Sequence, residues 1–88
     1  MNKHFKETVN LVKNYYNSRV EITDNKRLTD DDIYIVWFCY ILGGWKALAS
    51  TTVSDGMHYE IIFNKDTQEY YLDAYEKRET YCVAKEVI

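Results

Sequence analysis

Ten consecutive apolar or aromatic residues, Ile33 to Leu42, stand between three aspartates (Asp30, Asp31, Asp32) and two glycines (Gly43, Gly44). This stretch has to be buried or covered, so it constrains any fold the chain can adopt. It is too short for a bilayer span, which needs about 20 apolar residues. Periodicity alone does not separate a buried helix from a buried strand in so short a run. The flanks favour a helix. Thr29 is a good N-cap residue and Asp32 stands three positions later, where a capping box places its second partner. The three aspartates suit the positive end of a helix dipole, and the glycines suit a left-handed C-cap. The expectation is a central buried helix from Asp30 to Leu42; the alternative is that one side of it feeds a dimer or partner interface.

Upstream, Phe5, Val9, Val12 and Tyr16 recur at helical spacing, flanked by Leu11 and Tyr15, which predicts a helix over about Lys3–Ser18. Its other face mixes Lys3, Lys6 and Lys13 with Asn10, Asn14 and Asn17, a solvated face rather than a membrane-binding one. Asn17–Leu28 reads as a connector, with Val20 and Ile22 turned to the core and a turn at Asp24-Asn25.

After Gly44 the pattern changes to strands. Trp45–Thr52, His58–Phe63 and Glu69–Tyr75 are separated by turn signals at Ser54-Asp55-Gly56 and Asn64–Gln68. Thr80–Val83 could add a short fourth edge strand. A four-residue loop over Lys65–Gln68 would pair Phe63 with Tyr70, Ile61 with Leu72 and Tyr59 with Ala74, leaving one face entirely apolar; a one-residue slip destroys this match. The expected fold is therefore α+β: two helices packed on one face of a three- to four-stranded antiparallel meander, ααβββ(β), with residues 1–88 as a single domain.

The charge is uneven. Residues 1–27 carry six basic and three acidic groups (+3), and residues 28–88 carry five basic and eleven acidic (−6). The N-terminus lacks the apolar core of a signal peptide, so Cys39 and Cys82 are expected as free thiols in a reducing cytoplasm, Cys39 buried.

Catalytic motifs do not appear: there is no Walker loop, GxGxxG, GxSxG or HExxH. His4, His58, Cys39 and Cys82 match no zinc spacing, and Asp30–Asp32 lack the spaced oxygens and glycine of a calcium loop. No metal, cofactor or enzymatic activity is expected. The other face of the meander is mixed acidic and aromatic, and Glu60, Ile62, Tyr71, Asp73 and Tyr75, with Trp45, are the candidate partner-binding residues. Tyr71 and Tyr75 could stack bases, but Glu60, Glu69 and Asp73 beside them oppose the positive groove that nucleic-acid binding needs.

Trp45-Lys46-Ala47-Leu48-Ala49-Ser50-Thr51-Thr52, Asp55-Gly56-Met57-His58-Tyr59-Glu60 and Tyr71-Leu72-Asp73-Ala74-Tyr75-Glu76-Lys77 follow the pattern WKALxSTTxxDGMxYE … YLDxYxK, and Val36-Trp37-Phe38 also fits. In these residues the chain resembles a family of small phage and prophage proteins of Gram-positive bacteria. The resemblance implies expression in an infected bacterial cytoplasm and carries no catalytic residue. The expectation is a non-enzymatic phage accessory protein that binds and modulates or inhibits a bacterial host protein of replication, transcription or defence. The alternatives are a homo-oligomeric interaction protein, a homodimer in the simplest case, and a nucleic-acid-binding regulator.

Overall fold

The computed structural model describes residues 2–19 and 27–87. One helix, α1 (Lys3–Asn17), precedes four strands: β1 (Ile33–Ile41), β2 (Gly44–Thr51), β3 (Met57–Asn64) and β4 (Glu69–Glu76). Single 3-10 turns lie at Asp30–Asp32 and Lys85–Val87. The strands form one antiparallel sheet in the order β1-β2-β3-β4. The class is α+β, but with one helix, not two. Val20, Ile22 and the Asp24-Asn25 turn expected in the connector lie outside the described residues.

The stretch expected as a second helix is the edge strand β1. Its residues explain why. Ile33, Ile35, Val36 and Ile41 are β-branched, and Tyr34, Trp37, Phe38 and Tyr40 are aromatic. Both types lose side-chain freedom in a helix and fit a pleated surface. The capping signals are real but act over one turn. The Thr29 N–H and hydroxyl donate to Asp32 Oδ2 at 2.9 and 3.1 Å, and the Asp32 N–H donates to the Thr29 carbonyl at 3.0 Å. Thr52 is drawn in as well: its N–H donates to the Asp32 carbonyl at 2.9 Å and its hydroxyl to Asp32 Oδ1 at 3.2 Å. The cap thus launches β1 and fastens it to the end of β2. Those donors, the Thr29 backbone N–H above all, hold the Asp32 carboxyl below its ordinary value of 3.8.

The glycines build a hairpin turn instead of a helix C-cap. Leu42 and Gly43 connect paired Ile41 and Gly44, and Gly43 is left-handed at φ 88°. A Cβ on Gly44 would lie 1.8 Å from the Phe63 carbonyl oxygen, so β3 leaves room for no side chain there. The β3–β4 register pairs Phe63 with Tyr70, Ile61 with Leu72 and Tyr59 with Ala74, as the alternation predicts. Asn64 Oδ1 closes that turn by accepting from the Asp66 and Thr67 N–H groups. Thr80–Val83 lies outside the sheet, whose fourth strand is β1.

The register places Trp45, Ala47, Ala49 and Thr51 of β2 on the face that α1 covers, with Tyr59, Ile61 and Phe63 of β3 beside them. Val9 and Val12 of α1 close this core together with Leu28 and Ile33. Ala47 and Ala49 are fully buried; their small side chains let the helix lie close to the central strand. Asn17 secures the returning chain, its side chain accepting from the Leu28 N–H at 2.8 Å and donating to the Leu28 carbonyl at 3.1 Å. At the other end Trp45 is 2% exposed, among the rings of His4 (5.0 Å), Phe38 (5.5 Å) and Phe63 (6.0 Å). Among the described residues its indole N–H has no hydrogen-bond partner, a penalty of about 1–3 kcal/mol that the ring contacts offset.

β1 contains a bulge. Ile35 pairs with Ala49 and Trp37 with Leu48, leaving Val36 as the extra residue. Alternation therefore changes phase: Ile33 and Ile35 face α1 before the bulge, and Phe38 and Tyr40 lie on that side after it. This shift puts Trp37 and Cys39 on the far face.

Two outcomes follow for stability. Gly44→Ala should lower unfolding free energy by about 1–3 kcal/mol in urea titration, because a backbone oxygen has to move. Asp32 has a depressed folded-state pKa, so its contribution is present above the ordinary carboxylate range and lost as pH falls through it. Asp32→Asn should therefore reduce Tm at neutral pH, with wild type and variant converging as the pH is lowered below that range.

Candidate protein-interaction surface

The sheet face turned away from α1 has no second layer among the described residues. The strand registers define its rows. Cys39, Lys46, Ile62 and Tyr71 form one row across all four strands, and Trp37, Leu48, Glu60 and Asp73 form the next. Tyr34 and Tyr75 end a third row, with His58 between them. Trp37 is 39% exposed, Tyr71 49% and Tyr75 52%. Leu48 and Ile62 are half-buried by these neighbours alone. Isolated surface aromatics need no explanation; here Tyr34 and Trp37 on β1 and Tyr71 and Tyr75 on β4 flank Leu48 and Ile62 on the two central strands.

Charge is interleaved with these apolar groups. Lys46 Nζ lies 3.6 Å from Glu60 Oε2, so the one lysine of these rows is already engaged. Glu69 and Asp73 are exposed and acidic along β4. Such a surface repels phosphate backbones and suits a protein partner with an apolar patch and basic rim.

Five of the six expected residues, Glu60, Ile62, Tyr71, Asp73 and Tyr75, come together on this face. Trp45 does not: it points the opposite way and is a core residue, because its register with Phe63 puts it under α1. Cys39, expected in the core, is exposed on the outer face because it lies beyond the bulge. Tyr34 and Trp37 are absent from the expected set because their stretch reads as a helix from its flanks, and Leu48 because alternation alone does not set the register of the first hairpin. The β-branched and aromatic content of Ile33–Ile41 is the signal that locates Tyr34 and Trp37.

The inner face offers less. A cavity of about 360 Å³ lies between the start of α1 and the β1–β2 hairpin, bordered by His4, Tyr40, Trp45 and Lys65. His4 Nδ1 is 3.3 Å from Glu7 Oε1, and Glu7 also accepts from the Tyr70 hydroxyl, which lifts the Tyr70 phenol to about 12. These groups tie the helix to β4 and satisfy one another. Among the described residues, no group of three or more His, Cys, Asp or Glu side chains is placed to hold a metal ion. No helix among them is long and apolar enough to cross a membrane.

No curated protein and no solved structure matches the chain. A family of unknown function, DUF6275, matches residues 5–85, which include most of α1, the whole sheet and most of the segment after it. The chain therefore belongs to the DUF6275 family.

Proposed function

We propose that this protein is a protein-recognition domain that docks a partner on its outer sheet face, and that it acts as a non-enzymatic phage-encoded accessory protein in the bacterial cytoplasm. The partner is a bacterial host protein of replication, transcription or defence, which binding modulates or inhibits. One observation carries the docking: the outer face of the four-stranded sheet, which no other described element covers, presents Tyr34, Trp37, Leu48, Ile62, Tyr71 and Tyr75. Burying apolar area yields about 25 cal/mol per Å², and Trp and Tyr are favoured anchors at interface centres. The phage setting and the host partner rest on the resemblance in Trp45–Glu60 and Tyr71–Lys77.

Trp37 and Tyr71 stand on different strands of the face and take no part in the core. Affinity capture from bacterial lysate, read by mass spectrometry, should retrieve a host protein with the wild-type chain. Trp37→Ala with Tyr71→Ala should lose it while Tm stays within a few degrees, since surface truncations cost only about 0.5 kcal/mol each. Undiminished capture by the double variant removes the outer face as the site.

A further inference from the structure

β4 is the barest part of the fold. It is an edge strand, so half of its backbone N–H and C=O groups point away from β3. All its residues are exposed except half-buried Leu72. On the inner side the Tyr70 hydroxyl reaches Glu7 of α1, and Leu72 packs against the core. The strand is eight residues long, without proline, lysine or a bulge, and its charged residues are Glu69, Asp73 and Glu76. The opposite edge, β1, is interrupted by its bulge.

The segment after β4 is as unusual. From Lys77 to Glu86 every residue is exposed, including Tyr81 at 81% and Val83 at 48%. Its hold on the body is at its root, where the Lys77 N–H donates to the Gly56 carbonyl at 2.8 Å. The radius of gyration is 15.3 Å, whereas a compact chain of this length has roughly 12 Å. Thr80-Tyr81-Cys82-Val83 are nevertheless residue types that favour strands. The chain thus carries an unpaired strand edge and an unpaired strand-forming arm.

We infer that the C-terminal arm of a second copy pairs antiparallel with the free edge of β4, reciprocally, in a two-fold arm-exchanged dimer. The charges select the second copy and the register. Beyond Lys77 the arm has Arg78 near its start and Lys85 near its end, while β4 ends in Glu76 and begins with Glu69. An antiparallel ladder centred where the two copies of Lys77 meet sets Glu76 opposite the partner's Arg78 and Glu69 opposite the partner's Lys85. Leu72 then faces the partner's Cys82, and Tyr71 faces the partner's Val83. Cross-strand pairs of opposite charge and of apolar side chains are the favourable ones. The two Lys77 side chains at the axis are long enough to diverge into solvent. The arm cannot reach its own β4 without a tight reversal at Lys77-Arg78-Glu79, which has no Gly, Asn, Asp or Pro. Exchange between copies needs no reversal. One added strand is a small contact; the two-fold axis doubles it towards the roughly 1,200 Å² at which specific interfaces begin. The paired residues share a face, so the outer faces of both copies lie on the same side of one continuous sheet. The inference does not depend on what the outer face binds.

Sedimentation of the full chain over a concentration series should show a dimer. Thr80→Pro removes a ladder donor opposite the partner's Ala74, in an arm that is exposed throughout, and should weaken dimerisation at least about tenfold with Tm of the protomer unchanged. Truncation after Lys77 should leave a folded monomer. In a Cys39→Ser background, Leu72→Cys should form a disulfide-linked dimer under mild oxidation, and Cys82→Ser should abolish that link. A full chain that stays monomeric throughout, or a dimer that survives both Thr80→Pro and truncation, overturns the inference. A dimer in which Leu72→Cys does not cross-link to Cys82 overturns the register.

Discussion

The packing of a single helix on β2 governs the rest of this structure. Val9 and Val12 close over Ala47 and Ala49, and Trp45 plugs the end of the contact among His4, Phe38 and Phe63. The two alanines set how close the helix can come, and the tryptophan supplies the largest buried ring. One helix of fifteen residues cannot cover four strands on both sides. It covers the inner side of β1, β2 and β3, reaches β4 through one tyrosine, and leaves the outer face bare. The surfaces available to partners follow from that shortage of covering structure.

The sheet from Gly44 onwards was legible because its strands alternate. The β3–β4 pairs follow from the apolar match of Tyr59, Ile61 and Phe63 with Ala74, Leu72 and Tyr70, and five residues of the outer face follow from the same alternation. β1 was not legible by that route. Both of its faces are apolar, so no alternation shows, and the bulge at Val36 breaks the phase that would remain. Its flanks also misdirect. Thr29 and Asp32 make a true cap, but of one 3-10 turn; Gly43 and Gly44 make a true turn, but of a hairpin. The same local chemistry serves either element, and only the pairing of β1 with β2, a contact distant in sequence, decides between them. Trp45 depended on the same hairpin: its side is set by pairing with Tyr40 and Phe63, not by its neighbours in the chain.

Moving the organising stretch from helix to strand changes what it does. As a helix it would have filled the core and spent its surplus apolar surface there. As a strand it divides that surplus between two faces, and Trp37, Cys39 and Tyr34 extend the outer surface beyond the residues of β3 and β4. The bare edge of β4 and the arm that follows it belong to the same economy. Among the described residues a sheet face, a strand edge and the segment after β4 are left uncovered.

The two tryptophans test this account directly, because the fold places one on each side of the sheet. Acrylamide quenching of intrinsic fluorescence should be measured in two single-tryptophan variants. With Trp45→Phe the remaining Trp37 should be quenched readily, as a residue on an open face. With Trp37→Phe the remaining Trp45 should be strongly protected beneath α1. Equal protection of both would mean that a layer covers the outer face, and would contradict the open sheet on which the functional reading stands.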